Sequence, residues 1–147
     1  MLDLANRLRE GGIDAENDQY ETSPAEGWPA WCARRIEEAD FVLLVCTETY
    51  RRRFDARDPG KGLGVLYEAR TLRQLIYDSA RTDKYIPVLL DGGSPDHIPT
   101  IVKGATWWEA DTEDGYEGLY RQLTGQPKAI KPVLGAITLK PPRESRG

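Results

Sequence analysis

The alternation of continuous apolar runs with amphipathic segments is the feature that most constrains the fold. Two runs, FVLLVC (residues 41–46) and YIPVLLD (85–91), are apolar on both of their alternating sides. Such runs are typical of parallel strands that are buried on both faces. Apolar residues at helical spacing occur before, between and after these runs. Strands that alternate with helices predict an α/β domain with a doubly wound parallel sheet, covered by helices on both faces.

Four helices are predicted from apolar residues that recur every three or four positions. Gly11 and Gly12 should end the first helix, Pro29 suits the first turn of the second, the third should cover residues 64–80, and Asp111 should cap the last. The four apolar faces consist of Leu4, Ala5 and Leu8; Cys32, Ile36 and Ala39; Val65, Ala69, Leu72 and Ile76; and Tyr116, Leu119, Tyr120 and Leu123.

Two weaker strands are also predicted, an edge-type strand at IDAEND (residues 13–18) and a short last strand at ATWWEA (105–110). Pro87 predicts an early or edge-facing position in its own strand, because proline cannot donate to a ladder. Ligands of open parallel sheets bind at the carboxyl ends of the strands. Residues 18–20, residues 46–50 and Asp91 should therefore share one rim.

Composition excludes several classes of function. The net charge of −4 gives no indication of a nucleic-acid or anionic-membrane surface, and the triplet Arg51-Arg52-Arg53 beside two aspartates predicts a solvated loop. No apolar run approaches the ~18 residues of a membrane span. With only Cys32, Cys46 and the single His97, neither a disulfide framework nor a metal site is expected. The pattern indicates a cytoplasmic domain over residues 1–125, and the four prolines after residue 126 predict a disordered tail or linker to residue 147.

The run GKGLGVLYEA, residues 60–69, raises the question of a phosphate site. It does not match a P-loop, because Lys61 precedes its glycines and no hydroxyl follows, and no strand precedes it as a dinucleotide fingerprint requires. A flexible loop with Gly64 near a helix start fits better. Glu68 then lies at the border of the apolar arc of the third helix, where the helix dipole favours its charge. A plain helix-start glutamate and a functional carboxylate both remain open.

Three aromatic residues, Tyr20, Trp28 and Trp31, cluster around the loop that follows residue 18. Packing explains most such aromatic residues. Cys46 is interpreted as a small buried apolar residue, since the only histidine lies in a distant loop.

Three segments resemble SEFIR domains of the prokaryotic type, which are relatives of Toll/interleukin-1 receptor (TIR) domains. They are the loop DQYETSPAEGWPAW, the strand and its exit EEADFVLLVCTETY, and the glycine-rich run into the helix YEARTLRQ. The resemblance covers residues 2–127. It implies a flavodoxin-like fold with strand order 2-1-3-4-5 and homotypic association. The family's central first strand is not found. Three explanations are open: the strand lies upstream of Met1, which is the simplest, another chain closes the gap, or the fold is damaged.

The resemblance also implies candidate site residues. Several TIR relatives cleave NAD⁺ with a glutamate on the helix after the third strand, a position matched by Glu68. NAD⁺ would then be a substrate, with no cofactor required, and Tyr20, Cys46 and Tyr50 would line its site. Two functions follow, an interaction module of a signalling or antiviral-defence protein and an NAD⁺ glycohydrolase switched on by assembly. The family's assembly loop corresponds here to Asp18, Gln19, Tyr20, Pro24, Trp28 and Trp31.

Overall fold

The computed structural model describes residues 1–54, 74, 76 and 83–143. In these residues three parallel strands form one sheet in the order β1-β2-β3. Val88 of the central strand lies opposite Val45 on one side and Trp108 on the other. The elements, in chain order, are α1 (Leu2–Glu10), α2 (Trp28–Glu38), β1 (Val42–Val45), α3 (Glu48–Phe54), β2 (Tyr85–Leu89), β3 (Trp108–Glu109) and α4 (Glu113–Thr124).

Two apolar cores, one on each face of the sheet, explain why the strands have continuous apolar sequences. Tyr85 and Leu89 of β2 point into the first core, and the alternate residues Ile86 and Val88 point into the second. All five β2 residues are buried. The first core also contains Leu44, Cys46, Ile76, Ile98 and Val102, and the second contains Leu4, Leu8, Ala110 and Leu119. The predicted α/β architecture with a parallel sheet is confirmed.

The helix predictions hold for three of the four helices. Leu4, Ala5 and Leu8 are buried in α1, and Gly11 caps it. Pro29 lies in the first turn of α2, although Trp31 is the residue that α2 buries. The predicted third helix lies outside the described residues except for Gln74 and the buried Ile76, which are both helical. Val65, Glu68, Ala69 and Leu72 all fall in that undescribed part, as do the glycines of residues 60–64.

The strand predicted at residues 13–18 is wrong. Residues 13–17 have no regular structure, and Asp18–Tyr20 is a 3₁₀ turn. The backbone forms local bonds there, because the Ala15 N–H donates to the Ile13 carbonyl and the Asn17 side chain accepts from the Gln19 N–H. Residues 18–20 are therefore not at a strand end.

The position expected for Pro87 is also wrong, because this proline lies inside the central strand opposite Leu44. The alternate residues Lys84 and Val88 accept hydrogen bonds from β1. Pro87 therefore faces β3, which begins only at Trp108 opposite Val88. None of the three described strands accepts a hydrogen bond from residue 87 at that point, so the proline is tolerated.

Two local features differ from the sequence predictions. Thr112, rather than Asp111, caps α4, because its hydroxyl accepts from the Gly115 N–H at 3.0 Å. Asp111 instead accepts from the Asp91 N–H. Residues 51–53 belong to α3 and do not form a loop. No helix in the described ranges is long and apolar enough to cross a membrane.

Candidate interaction surface and strand-end rim

A loop between α1 and α2 carries most of the residues predicted to make partner contacts. Asn17 is buried and caps the 3₁₀ turn of Asp18–Tyr20. The Tyr20 hydroxyl donates to the Asn6 side chain of α1, which ties the turn to that helix. Asp18 and Gln19 are exposed, whereas Pro24 is half-buried and its carbonyl accepts from the Gly27 N–H. The loop is therefore held at both ends by hydrogen bonds.

Two tryptophans at the start of α2 have different environments. Trp31 is 6% exposed, whereas Trp28 is 42% exposed. Their rings meet edge to face with centroids 5.5 Å apart, so the buried indole supports the exposed one. The Arg35 guanidinium lies 5.7 Å from the Trp31 ring centroid. Trp28 is thus a large aromatic residue presented to solvent on a packed support.

Ion pairs attach this loop to α2. Arg34 donates to Glu26 through Nη2 at 2.7 Å and through Nε at 3.1 Å. The hydrogen bond from Arg34 lowers the pKa of Glu26, and the same bond raises the pKa of Arg34. Arg35 approaches Glu16 at 3.7 Å. Because both pairs are solvent-accessible, they orient the loop more than they stabilise the fold.

A shallow groove lies between α1 and the loop, lined by Asn6, Arg9, Glu10, Glu16 and Tyr20. Arg9, the cationic residue among these five, donates to the Asp14 carboxylate and the Ala15 carbonyl. The Asp14 hydrogen bond raises the pKa of Arg9. Two carboxylates and one engaged guanidinium do not suit a phosphate group.

The carboxyl ends of β1 and β2 lead into a compact rim. Thr47 follows β1, and its hydroxyl accepts from the Tyr50 N–H in the first turn of α3. Asp91 follows β2 with φ +54° and Gly92 with φ +72°. A Cβ on Gly93 would lie 3.6 Å from the Cys46 carbonyl oxygen, so this turn packs closely on the end of β1. The Arg51 guanidinium donates to the Asp96 carbonyl through Nη1 and so joins α3 to the loop after β2.

Cys46 lies beneath this rim and is 2% exposed. Its thiol donates to the Leu44 carbonyl at 3.2 Å. Burial raises the pKa of Cys46 to about 12, so the thiol stays protonated at neutral pH. The interpretation of Cys46 as a buried apolar residue is confirmed. Any contact between Cys46 and a ligand at the rim has to come from its backbone.

The predicted site residues form two groups in the structure. Tyr20 lies in the groove beside α1, whereas Cys46 and the half-buried Tyr50 belong to the first core and the rim. Asp18, Gln19, Pro24 and Trp28 lie along the loop and the α2 start, and Trp31 is the buried support. The predicted catalytic Glu68 lies outside the described residues. The described part of the chain has no group of three His, Cys, Asp or Glu side chains placed to hold a metal ion.

Sequence reasoning missed Asn17 and Arg35, which position this surface. Asn17 could have been found as a turn cap, because asparagine followed by a short polar segment is a common capping signal. Arg35 carried no such signal, since its contacts with Trp31 and Glu16 depend on how α2 packs against the loop.

Comparison with known proteins identifies the class. Residues 1–124 match the family model described as a TIR domain, and the chain belongs to that family. The chain is also similar to a crystal structure of a prokaryotic SEFIR domain, with 27% sequence identity and a TM-score of 0.64. That similarity covers 91% of this chain and 88% of the SEFIR chain. None of the curated proteins is significantly similar to the chain. The resemblance to SEFIR and TIR domains is therefore confirmed, and it supports a TIR-type signalling domain.

Proposed function

We propose that the domain is an interaction module of an intracellular signalling or defence protein, and that it works by association with like domains. The observation that carries this proposal is the exposure of Trp28, an aromatic side chain 42% open to solvent on a rigid support. Aromatic residues are enriched in protein interfaces, where they contribute large contact area at low entropic cost.

The setting of Trp28 fits a small and reversible contact. Asp18 and Gln19 are exposed near the opposite end of the loop, and Tyr20 is 42% exposed. A central aromatic residue with a polar surrounding is the usual composition of an interface hot spot. The hydrogen bonds at Asn17 and the Glu26–Arg34 pair hold the loop before association, so little ordering entropy is lost on contact.

Sedimentation velocity across a wide micromolar concentration range tests this proposal. We expect the unchanged protein to associate with rising concentration, and Trp28→Ala or Pro24→Ala to weaken that association without changing the unfolding midpoint. Phe41→Ala is the matched control, because Phe41 is another exposed aromatic residue, at 36%, outside this surface. Absence of concentration-dependent assembly in the unchanged protein would contradict the proposal, and so would equal weakening by Phe41→Ala.

A second function, NAD⁺ hydrolysis by the assembled domain, is favoured by the sequence position of Glu68 and by the strand-end rim. Hydrolysis breaks the bond between ribose C1 and the nicotinamide nitrogen, and water supplies the hydroxyl that replaces nicotinamide. Positive charge builds on the sugar in the transition state, so a fixed carboxylate stabilises it. In this proposal Glu68 is that carboxylate. Tyr50 and the Cys46 backbone would contribute to the wall of the site from the rim.

Nicotinamide release from NAD⁺, followed chromatographically at a protein concentration that gives assembly, tests the enzymatic proposal. Glu68→Gln is nearly isosteric but uncharged, and we expect it to abolish release while assembly persists. Lys61→Ala is the control, because a phosphate-cradle mechanism would require Lys61 and an oxocarbenium mechanism would not. Undiminished release from Glu68→Gln would remove this glutamate from the mechanism. Absence of release from the assembled parent would leave the interaction module alone.

A further inference from the structure

The loop between α1 and α2 carries negative charge around its exposed aromatic residues. Residues 13–33 contain five carboxylates and no basic residue. Three of these carboxylates pair with arginines of α1 and α2, namely Asp14, Glu16 and Glu26. Asp18 and Glu21 pair with no basic side chain of the described ranges. Together with the aromatic side chains of Tyr20 and Trp28, these two carboxylates form what we call the acidic loop surface.

This charge disfavours a contact between two identical loops. If Trp28 of one copy met Trp28 of another, the unpaired Asp18 and Glu21 carboxylates of both copies would lie at the same interface. Like charges placed opposite each other across an interface cost free energy. Trp28 itself needs an apolar partner, because an aromatic side chain contributes most to binding where it is fully desolvated. We therefore expect the surface that Trp28 meets on a second copy to be both basic and apolar.

The segment that follows α4 has this composition. Residues 126–143, which we call the basic tail, contain neither helix nor strand. They hold four basic residues and no acidic one, whereas every stretch of that length before residue 126 contains acidic residues. The basic residues are Lys128, Lys131, Lys140 and Arg143. Five large apolar side chains of the tail are between 89% and 96% exposed, namely Ile130, Val133, Leu134, Ile137 and Leu139.

We propose that the basic tail of one copy binds the acidic loop surface of a second copy. This inference rests on the proposed function, since it names the segment that Trp28 contacts when like domains associate. Lysines of the tail lie beside Asp18 and Glu21 in this complex, and apolar side chains of the tail cover Trp28 and Tyr20. A lysine ammonium over an aromatic ring adds cation–π attraction to the pairing of opposite charges.

Both partners of this contact adjoin α1. The Tyr20 hydroxyl of the acidic loop surface donates to Asn6 in α1. The Tyr120 hydroxyl, near the end of α4, donates to the Gly11 carbonyl that follows α1. The basic tail therefore leaves the domain near α1, and each extended residue adds ~3.3 Å of reach. Two copies that face each other through α1 can each place a tail on the loop of the other.

The exposure of the tail indicates a second copy rather than the same chain. At 89–96% exposure the apolar side chains of the tail make almost no contact with their own domain. Reciprocal contacts occupy both tails in a closed two-fold dimer, whereas one-way contact would continue into filaments. The second contact of such a dimer forms within one assembly, so it strengthens the association beyond the affinity of a single tail.

Sedimentation velocity of the full chain measures the contribution of the tail. Lys131→Glu brings a negative charge to the acidic loop surface, and we expect it to raise the dissociation constant about fivefold or more. Lys103→Glu is the matched control, because Lys103 is exposed in the loop before β3 and the substitution changes the net charge equally. We expect Lys103→Glu to leave the dissociation constant within about twofold of its original value. Equal weakening by the two variants would overturn the proposal.

A charge exchange between two double variants tests whether the contact joins separate chains. Lys128→Glu with Lys131→Glu makes the tail more acidic, and Asp18→Lys with Glu21→Lys makes the loop basic. Each double variant should stay monomeric where the unchanged protein associates, because its tail and its loop then repel each other. An equimolar mixture should regain association, since each tail meets a loop of opposite charge. A mixture that stays monomeric would overturn the proposal.

Three further results would overturn binding of the tail to a second copy. If Trp28→Ala weakens association and Lys131→Glu does not, the loop surface remains an interface and the tail is not its partner. Tighter association of the Lys131→Glu variant would mean that the tail covers the loop surface of its own chain. Pelleting of the unchanged protein with phosphatidylglycerol vesicles, combined with association that Lys131→Glu leaves unchanged, would assign the tail to an anionic membrane. Absence of association in the unchanged protein would overturn both this inference and the proposed function.

Discussion

At the scale of single residues, Gly115 shows how closely α4 is joined to β3. A Cβ added at this position would lie 1.9 Å from the Glu109 carbonyl oxygen and 2.7 Å from the Thr112 hydroxyl. The Gly115 N–H donates to that same hydroxyl, which caps the helix. Glycine within a helix usually costs about 1 kcal/mol relative to alanine. Here the β3 backbone lies so close that only glycine, which has no Cβ, fits at position 115.

We therefore expect Gly115→Ala to destabilise the domain by about 2 kcal/mol or more, since overpacking against backbone cannot be relieved by a rotamer change. Urea unfolding followed by circular dichroism measures the difference. Gly104→Ala is the control, because a Cβ at Gly104 meets nothing within 4 Å. Equal midpoints for the two variants would contradict the close packing of α4 on β3.

Cys46 allows a prediction about pH. Burial raises its pKa from 9.0 to about 12, so the folded state disfavours the thiolate. The unfolded chain loses this proton near pH 9 and the folded chain only near pH 12, so stability is retained below pH 9 and declines between those values. We expect Cys46→Ala to show a shallower decline over that range. Thiol titration of the native protein should leave Cys46 unmodified until unfolding, and rapid modification at neutral pH would contradict its burial.

At the scale of elements, α1 and α4 are joined by two tyrosines as well as by the second core. The Tyr120 hydroxyl donates to the Gly11 carbonyl at 2.6 Å, and the Tyr116 hydroxyl approaches the Arg7 carbonyl at 3.4 Å. The Arg7 guanidinium lies 3.6 Å from the Tyr116 ring centroid, and Arg7 pairs with Glu113. These contacts link the first and last described helices of the domain.

Tyr120→Phe removes the shorter of these two hydrogen bonds and should lower the free energy of unfolding by about 1 kcal/mol. Tyr116→Phe keeps the ring under Arg7 and removes only the longer contact, so its effect should be smaller. Thermal unfolding of the two variants beside the unchanged protein makes the comparison. A larger loss from Tyr116→Phe would show that the interface depends on Tyr116 rather than on Tyr120.

At the scale of the whole molecule, the exposure of the tail predicts where a protease will cut. Trypsin cleaves poorly before proline, and Pro132 and Pro141 follow Lys131 and Lys140. The first cuts should therefore fall after Lys128, which is exposed just beyond α4, or after Arg143 and Arg146 near the end of the sequence. Mass spectrometry of the early product identifies the site. A first cut within residues 1–125 would contradict the predicted domain boundary.

The candidate surface was predictable in position but not in detail. The aromatic residues around residues 18–31 indicated a loop with both packing and contact roles. In the structure Trp31 is buried and packs, whereas Trp28 is exposed and available for contact. Sequence spacing could not show which tryptophan is buried and which is exposed, because this depends on which indole faces the Arg35 side of α2. The environment of Cys46 was also predictable only in part. Its position in an apolar run predicts burial, but the sequence does not show that the thiol is too deeply buried to contact a ligand.

What the sequence by itself determined is the periodic part of the domain. The runs at β1 and β2 and the helical stripes of α1, α2 and α4 are local patterns, and burial on one or both sides is enough to select each element. The tertiary structure decided the features that depend on a partner. Residues 13–18 alternate like a strand but bond locally, and Pro87 lies in the central strand because β3 starts beyond it. A strand exists only where another backbone completes its hydrogen bonds, and no local pattern specifies where that backbone will be.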